Sequence, residues 1–225
     1  MTAHRINPAD SLRTYSAQEL EHIAEGYHKK SGNDFYIPVD IELLLELEGI
    51  DLDIWPGLQA NHKLLGMILI NPETKKFMVY IDANLADYSA QRNRYRMTVA
   101  EELAHFLLHK EAIQFVCHPD DFRYLQSHAK WYECERNAKR LAAAPLMPAS
   151  YLIEDARKEY PKIINALPSQ YQYSNPSAVK NTLVSNLAKK YEVSFQSMQI
   201  RLDEWPVRVL QKIDDAMNSQ LTFLE

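Results

Sequence analysis

The stretch Arg94–His109 constrains this chain more than any other. On a helical wheel advancing about 100° per residue with Glu101 as origin, His105 falls at roughly 40°, Thr98 at roughly 60°, His109 at roughly 80° and Glu102 at roughly 100°. From Met97 through Leu108 every other position is apolar: Met97, Val99, Ala100, Leu103, Ala104, Phe106, Leu107 and Leu108. A helix apolar over most of its circumference is mostly buried, so its ionisable groups are gathered in one stripe. Two readings compete. The stripe is either the exposed edge of the helix or the lining of a cleft. In a cleft, a Glu or His at i and a His at i+4 can share one metal ion, because such side chains sit one turn apart on one face. A neighbouring carboxylate can then act as a base. Glu-Glu-Leu-Ala-His by itself leaves both readings open.

A third ligand would have to come from elsewhere, and a second helix, predicted over roughly residues 127–144, offers a candidate. There Trp131, Cys134, Ala138, Leu141 and Ala142 form an apolar arc. Glu135 borders that arc, about 20° from Ala142, whereas Glu133 points to the opposite side. Alanines at 138 and 142–144 permit close approach by a neighbouring helix. The competing reading pairs Glu135 with Arg136, Lys139 or Arg140. The wheel does not separate the two.

Composition bounds the alternatives. A length of 225 residues is enough for a substantial core without disulfides. Twenty-five basic against 30 acidic residues, net −5, argues against a chain whose main task is coating nucleic acid or an anionic membrane. Five glycines leave no phosphate-cradling loop, and two cysteines make no disulfide scaffold. No apolar run approaches a membrane span, and the first residues lack a secretory signal pattern. A cytoplasmic protein is expected.

The rest of the chain supplies a frame. Ser16-Ala-Gln-Glu19 is a capping box opening a helix that ends near Lys30, after a loose segment over 1–15. A short helix over 41–48 closes at Gly49. Three apolar runs follow, at 50–55, 65–70 and 77–81, the last two flanking the turn-rich Asn71–Lys76. They predict a small antiparallel sheet, followed by polar loop over 82–91. Beyond the second helix the chain reads as helical at about 148–160, 178–191, 194–205 and 206–219, with a linker over 161–177. The expected fold class is α+β, a small antiparallel sheet packed on helices and then a helical C-terminal part. The expected divisions are 1–36, 37–160 and 161–225.

Arg96-Met-Thr-Val-Ala-Glu-Glu-Leu-Ala-His-Phe-Leu-Leu-His109, with Glu135-Arg-Asn-Ala-Lys-Arg-Leu-Ala-Ala-Ala-Pro-Leu-Met-Pro148, resembles the ImmA/IrrE family of metallo-endopeptidases. Leu187–Leu202 is similar to the helix-turn-helix-like segment that follows the peptidase part, and the resemblance covers roughly 38–205. It implies a zincin-like active-site helix and assigns His105 and Glu135 as metal ligands and Glu102 as the general base. Where the family carries the first histidine of H-E-x-x-H, this chain has Glu101. The implied ligand set becomes Glu101, His105 and Glu135, with His109 as a further candidate. Such a set binds zinc, but its oxygen-rich character also suits manganese or iron(II), and its charge makes the ion a weaker Lewis acid.

The resemblance implies cleavage of a protein substrate such as a helix-turn-helix repressor in a stress response. The alternative is a weakened or inactive relative that binds a transcription factor or a toxin–antitoxin partner. Direct DNA binding is disfavoured, because Glu192, Asp203, Glu204, Asp214 and Asp215 are interleaved with Lys189, Lys190, Arg201, Arg208 and Lys212. Cys117-His118-Pro-Asp120-Asp121 is expected to be a loop or lid near the cleft, and Cys134 packed core. His4, His22, His28, His62 and His128 lack a partner at ligand spacing. Tyr151, Tyr160, Tyr171 and Tyr173 are candidates to cover a cleft mouth.

Overall fold

The computed structural model describes residues 8–30, 36–87, 89–168 and 175–219, with only the backbone of residues 28–30 and 219. Its packing divides the chain into two compact units. The first comprises residues 1–36 and 40–145, the second 37–39 and 146–225.

In the first unit a 3-10 turn at Pro8–Ser11 precedes α1 (Ala17–Lys30). The capping box forms as expected: Glu19 Oε2 accepts from Ser16 N at 2.8 Å, and Ser16 Oγ accepts from Glu19 N at 3.3 Å. Helix α2 (Ile41–Leu47) starts on Asp40, whose carboxylate accepts from Glu42 N and Leu43 N. Strand β1 (Asp51–Trp55) and the short α3 (Leu58–His62) lead to β2 (Gly66–Ile70) and β3 (Phe77–Asp82). The Asn71 side chain accepts from Glu73 N and Thr74 N and tightens the hairpin between β2 and β3.

The sheet is mixed rather than antiparallel. Its order is β1-β3-β2, with β3 antiparallel to β2 and parallel to β1. The hairpin is local and its pairing legible, but β3 inserts between β2 and β1, and no local signal fixes that insertion. Residues 82–87 and 89–91 also hold more regular structure than the expected loop. Asp82 caps α4 (Ala83–Ala86), and a 3-10 turn at Ser89–Gln91 leads into the next helix.

Helix α5 (Arg92–Ile113) carries the stripe, and its backbone leaves helical geometry at His109 (φ −128°, ψ 21°). The predicted end at His109 is therefore a kink, with one further turn beyond it. Helix α6 (Pro119–Gln126) and α7 (Trp131–Leu146) follow. Met67, Leu69, Ala112, Val116, Phe122, Leu125, Trp131 and Cys134 share one buried cluster with Ala9 and Leu12 of the amino-terminal segment. Cys134 is packed core, as expected.

The second unit contains α8 (Ala149–Ala166), α9 (Pro176–Tyr191), α10 (Phe195–Asp203) and α11 (Val209–Ser219). Helix α8 runs through Pro161, so residues 161–166 extend a helix where a linker is expected. Burial of Ile163 and Ile164 offsets the intrahelical hydrogen bond that the proline forgoes. The α9–α10 junction has the expected helix-turn-helix form. Glu192 ends α9 in a left-handed conformation (φ 50°), and Ser194 Oγ accepts from Ser197 N at 3.0 Å to start α10.

Candidate functional site

The stripe on α5 is not an exposed edge. Glu102, His105 and His109 retain 6%, 4% and 1% of their accessible surface. Glu101 is half-buried beside them. Helix α7 brings Glu135 to the same place, where Glu135 Oε2 lies 3.2 Å from His105 Nε2. The Trp131 ring, one turn before Glu135, stacks on the His105 imidazole at 5.2 Å with an interplanar angle of 8°. The other ring nitrogen of His105, Nδ1, lies 3.4 Å from His109 Nδ1.

Glu135 reaches across to α5 and also pairs with a lysine of its own helix. Its Oε2 faces His105, while its Oε1 takes Lys139 Nζ at 3.0 Å. Burial opposes its charge, but the hydrogen bond from His105 and the Lys139 ammonium outweigh burial and pull its carboxyl down to about 2. Burial also opposes charging His105, yet Glu135 first, then Glu102 and Glu101, raise its proton affinity above the usual histidine value. Glu101 is raised by burial, with Lys139 and His105 pulling it down and Glu135 pushing it up.

Glu102 stands apart. Burial, reinforced by Glu101 and Glu135, drives its carboxyl up to about 8 against the attraction of His105. Its Oε2 is buried without a hydrogen-bond partner, and a buried polar atom left open in this way calls for an explanation. Gly66 at the start of β2 makes room for this side chain, since a β-carbon there would approach Glu102 Oε1 to 3.0 Å.

The donor set fits a divalent cation in kind. It offers imidazole nitrogen and carboxylate oxygen, and its His105 Nε2 and Glu135 Oε2 are in direct hydrogen-bond contact at 3.2 Å. Among the described residues no three His, Cys, Asp or Glu side chains are drawn together as a complete cluster. The positive charge beside Glu101 and Glu135 is supplied by Lys139.

Other candidate residues take structural roles. Asp121 Oδ2 accepts from Cys117 N and His118 N, both at 3.0 Å, so the Cys117–Asp121 cluster is the N-terminal cap of α6. Asp120 pairs with Arg123. His62 packs edge-on against Trp55, and His128 Nδ1 accepts from Lys130 N. His22 is exposed; His4 and the side chain of His28 lie outside the described residues. Tyr160 is buried on α8 and Tyr151 is 38% exposed, while Tyr171 and Tyr173 also lie outside the described residues.

Sequence reasoning missed Gly66, Tyr15 and Asn137. The Asn137 side chain accepts from Tyr15 N at 2.8 Å and donates to Tyr15 O at 3.1 Å, and Tyr15 donates its hydroxyl to Leu108 O at 3.0 Å. Only the position of Asn137, two residues after Glu135, hinted at a site role.

No curated protein matches the chain. The sequence profile of Peptidase M78, the IrrE N-terminal-like domain, matches residues 84–203, more than half of the 225 residues. That span holds both site helices, α5 and α7, and it makes the chain a member of the IrrE N-terminal-like family, with a metallopeptidase-like domain.

Proposed function

We propose that this protein is a metal-dependent endopeptidase of regulatory type, hydrolysing a peptide bond in a protein substrate, with a helix-turn-helix transcriptional regulator as the expected class. The observation that carries this reading is the buried, open carboxyl oxygen of Glu102 beside the His105–Glu135 pair. Glu101, His105 and Glu135 would hold the ion. A bound divalent metal, zinc foremost, with manganese or iron(II) suited to the oxygen-rich set, supplies Lewis-acid polarisation of the scissile carbonyl and acidifies water.

The chain's own residues account for the proton transfers. Glu102, with its proton affinity raised toward neutrality, is suited to take a proton from the attacking water and return it to the leaving amine nitrogen. Burial excludes bulk water from that carboxyl, and Trp131 holds the His105 ring by stacking. Lys139 offsets the repulsion between Glu101 and Glu135.

The C-terminal helices fit a packing or partner-binding role better than duplex binding. Arg201 is buried and donates from Nε to Met147 O at 3.1 Å, and Lys190 pairs with Asp155 at 2.6 Å. These cations are engaged within the unit, and duplex affinity requires cations that neutralise phosphates. No described helix is long and apolar enough to cross a membrane. The proposed site of action is the cytoplasm, alongside the regulator.

The test is incubation with a cognate repressor and added zinc or manganese. Cleavage that disappears in Glu102→Gln is expected. Cleavage unchanged in that variant overturns the mechanism. A tight complex with the regulator but no cleavage moves the assignment to a non-catalytic binding module.

A further inference from the structure

The sequence leaves His109 as a candidate fourth ligand, but the structure puts it on the opposite side of His105 from Glu135. His105 meets Glu135 through Nε2 and His109 through Nδ1. An imidazole that binds an ion through Nε2 carries its proton on Nδ1 and needs an acceptor there. That acceptor fixes both the tautomer and the ring plane. Metal-ligating histidines ordinarily find a carboxylate, a carbonyl or water for the purpose. Here the group in position is a second imidazole.

We propose that His109 is a positioning residue, accepting the Nδ1 proton of His105 on its own Nδ1 so that His105 Nε2 is presented to the metal. This inference rests on the metal-site reading above. Three further features fit the role. The α5 backbone leaves helical geometry at His109 and nowhere else along that helix. His109 is 1% exposed, so bulk water does not compete for its ring, and its Nδ1 faces the Nδ1 of His105 at 3.4 Å. The kink is braced from outside the helix. Tyr15 sets its ring edge-on to His109 at 6.5 Å and donates its hydroxyl to Leu108 O, while Asn137 of α7 grips the Tyr15 backbone. The bracing therefore ties the helix bearing His105 to the helix bearing Glu135 through the amino-terminal segment.

The experiment measures zinc affinity of the full chain by chelator competition, with thermal melting in chelator as the folding control. Relative to wild type, His109→Phe is expected to bind zinc about 10–100-fold more weakly, while His109→Gln, whose amide oxygen still accepts, stays within about threefold. A second measurement does not depend on any variant. Nitrogen-15 NMR of the zinc-loaded wild type should show a slowly exchanging proton on His105 Nδ1 coupled to an unprotonated Nδ1 of His109. Equal zinc affinity in His109→Phe, or a proton or metal on His109 Nδ1, overturns the inference while leaving the metal site standing. Failure of the wild type to bind zinc, manganese or iron(II) overturns both.

Discussion

Gly66 lies directly against Glu102: a β-carbon at position 66 would stand 3.0 Å from Glu102 Oε1, 3.2 Å from its Cγ and 2.6 Å from Thr98 Cγ2. Strand β2 and helix α5 therefore meet at a point where only hydrogen fits, and the carboxyl proposed to move protons is held at that point. The close approach also explains the burial of β2, whose Gly66, Met67, Ile68 and Leu69 are all enclosed.

Gly66→Ala should accordingly displace either the strand or the carboxyl. Overpacking of this kind costs about 1–3 kcal/mol, measured as a lower midpoint in urea unfolding. The shortest contact is to a methyl group that serine lacks. Combining Gly66→Ala with Thr98→Ser should recover part of the loss, and a strictly additive double variant would show that the clash lies elsewhere.

Asn137→Ala removes two hydrogen bonds that tie α7 to the Tyr15 backbone, leaving that backbone without its partner. A loss of about 1–3 kcal/mol in stability is expected, against about 0.5–1.5 kcal/mol for Tyr15→Phe, which removes one hydroxyl bond. Denaturant melts of the two variants check the order. A larger loss from Tyr15→Phe would contradict the bracing described here.

In the second unit, Arg201→Ala should destabilise by about 1.5–3 kcal/mol, the range for a hydrogen bond from a charged group. The substitution deletes a buried guanidinium bonded to the Met147 carbonyl. A stability change near zero, with duplex DNA affinity falling instead, would mean that the arginine faces solvent and phosphate.

Glu101→His replaces an anionic oxygen donor by a neutral nitrogen donor and removes its repulsion with Glu135. Zinc affinity relative to manganese should rise on the order of tenfold, because imidazole suits zinc and carboxylate suits manganese. Competition titrations with both ions read this directly. Zinc at a hundredfold excess over its Kd should also raise unfolding stability by about 2.7 kcal/mol, a gain abolished by chelator.

Much of this architecture was legible because it is local. The Ser16–Glu19 box, the Asn71 turn, the helix carrying Glu101, Glu102 and His105, and the arc holding Cys134 each depend on residues a few positions apart. The expectations that failed depend on longer range. The placement of β3 between β1 and β2 turned an antiparallel sheet into a mixed one, since a strand's sequence does not name its second neighbour. Pro161 suggested a linker, yet apolar residues on the following turn carried α8 onward to Ala166.

By itself the sequence determined which residue types share a helical face and how far apart they lie, since 3.6-residue periodicity is a property of the backbone. It therefore offered Glu101, Glu102, His105, His109 and Glu135 as one chemical group. Tertiary structure decided what each of them touches. Burial turned an ambiguous stripe into an enclosed site and raised Glu102 toward neutrality, and the packing of α7 on α5 set Glu135 against one nitrogen of His105. The kink at His109 set that residue against the other. Such contacts join residues far apart in the chain, and their geometry is fixed only once the helices and the sheet pack together.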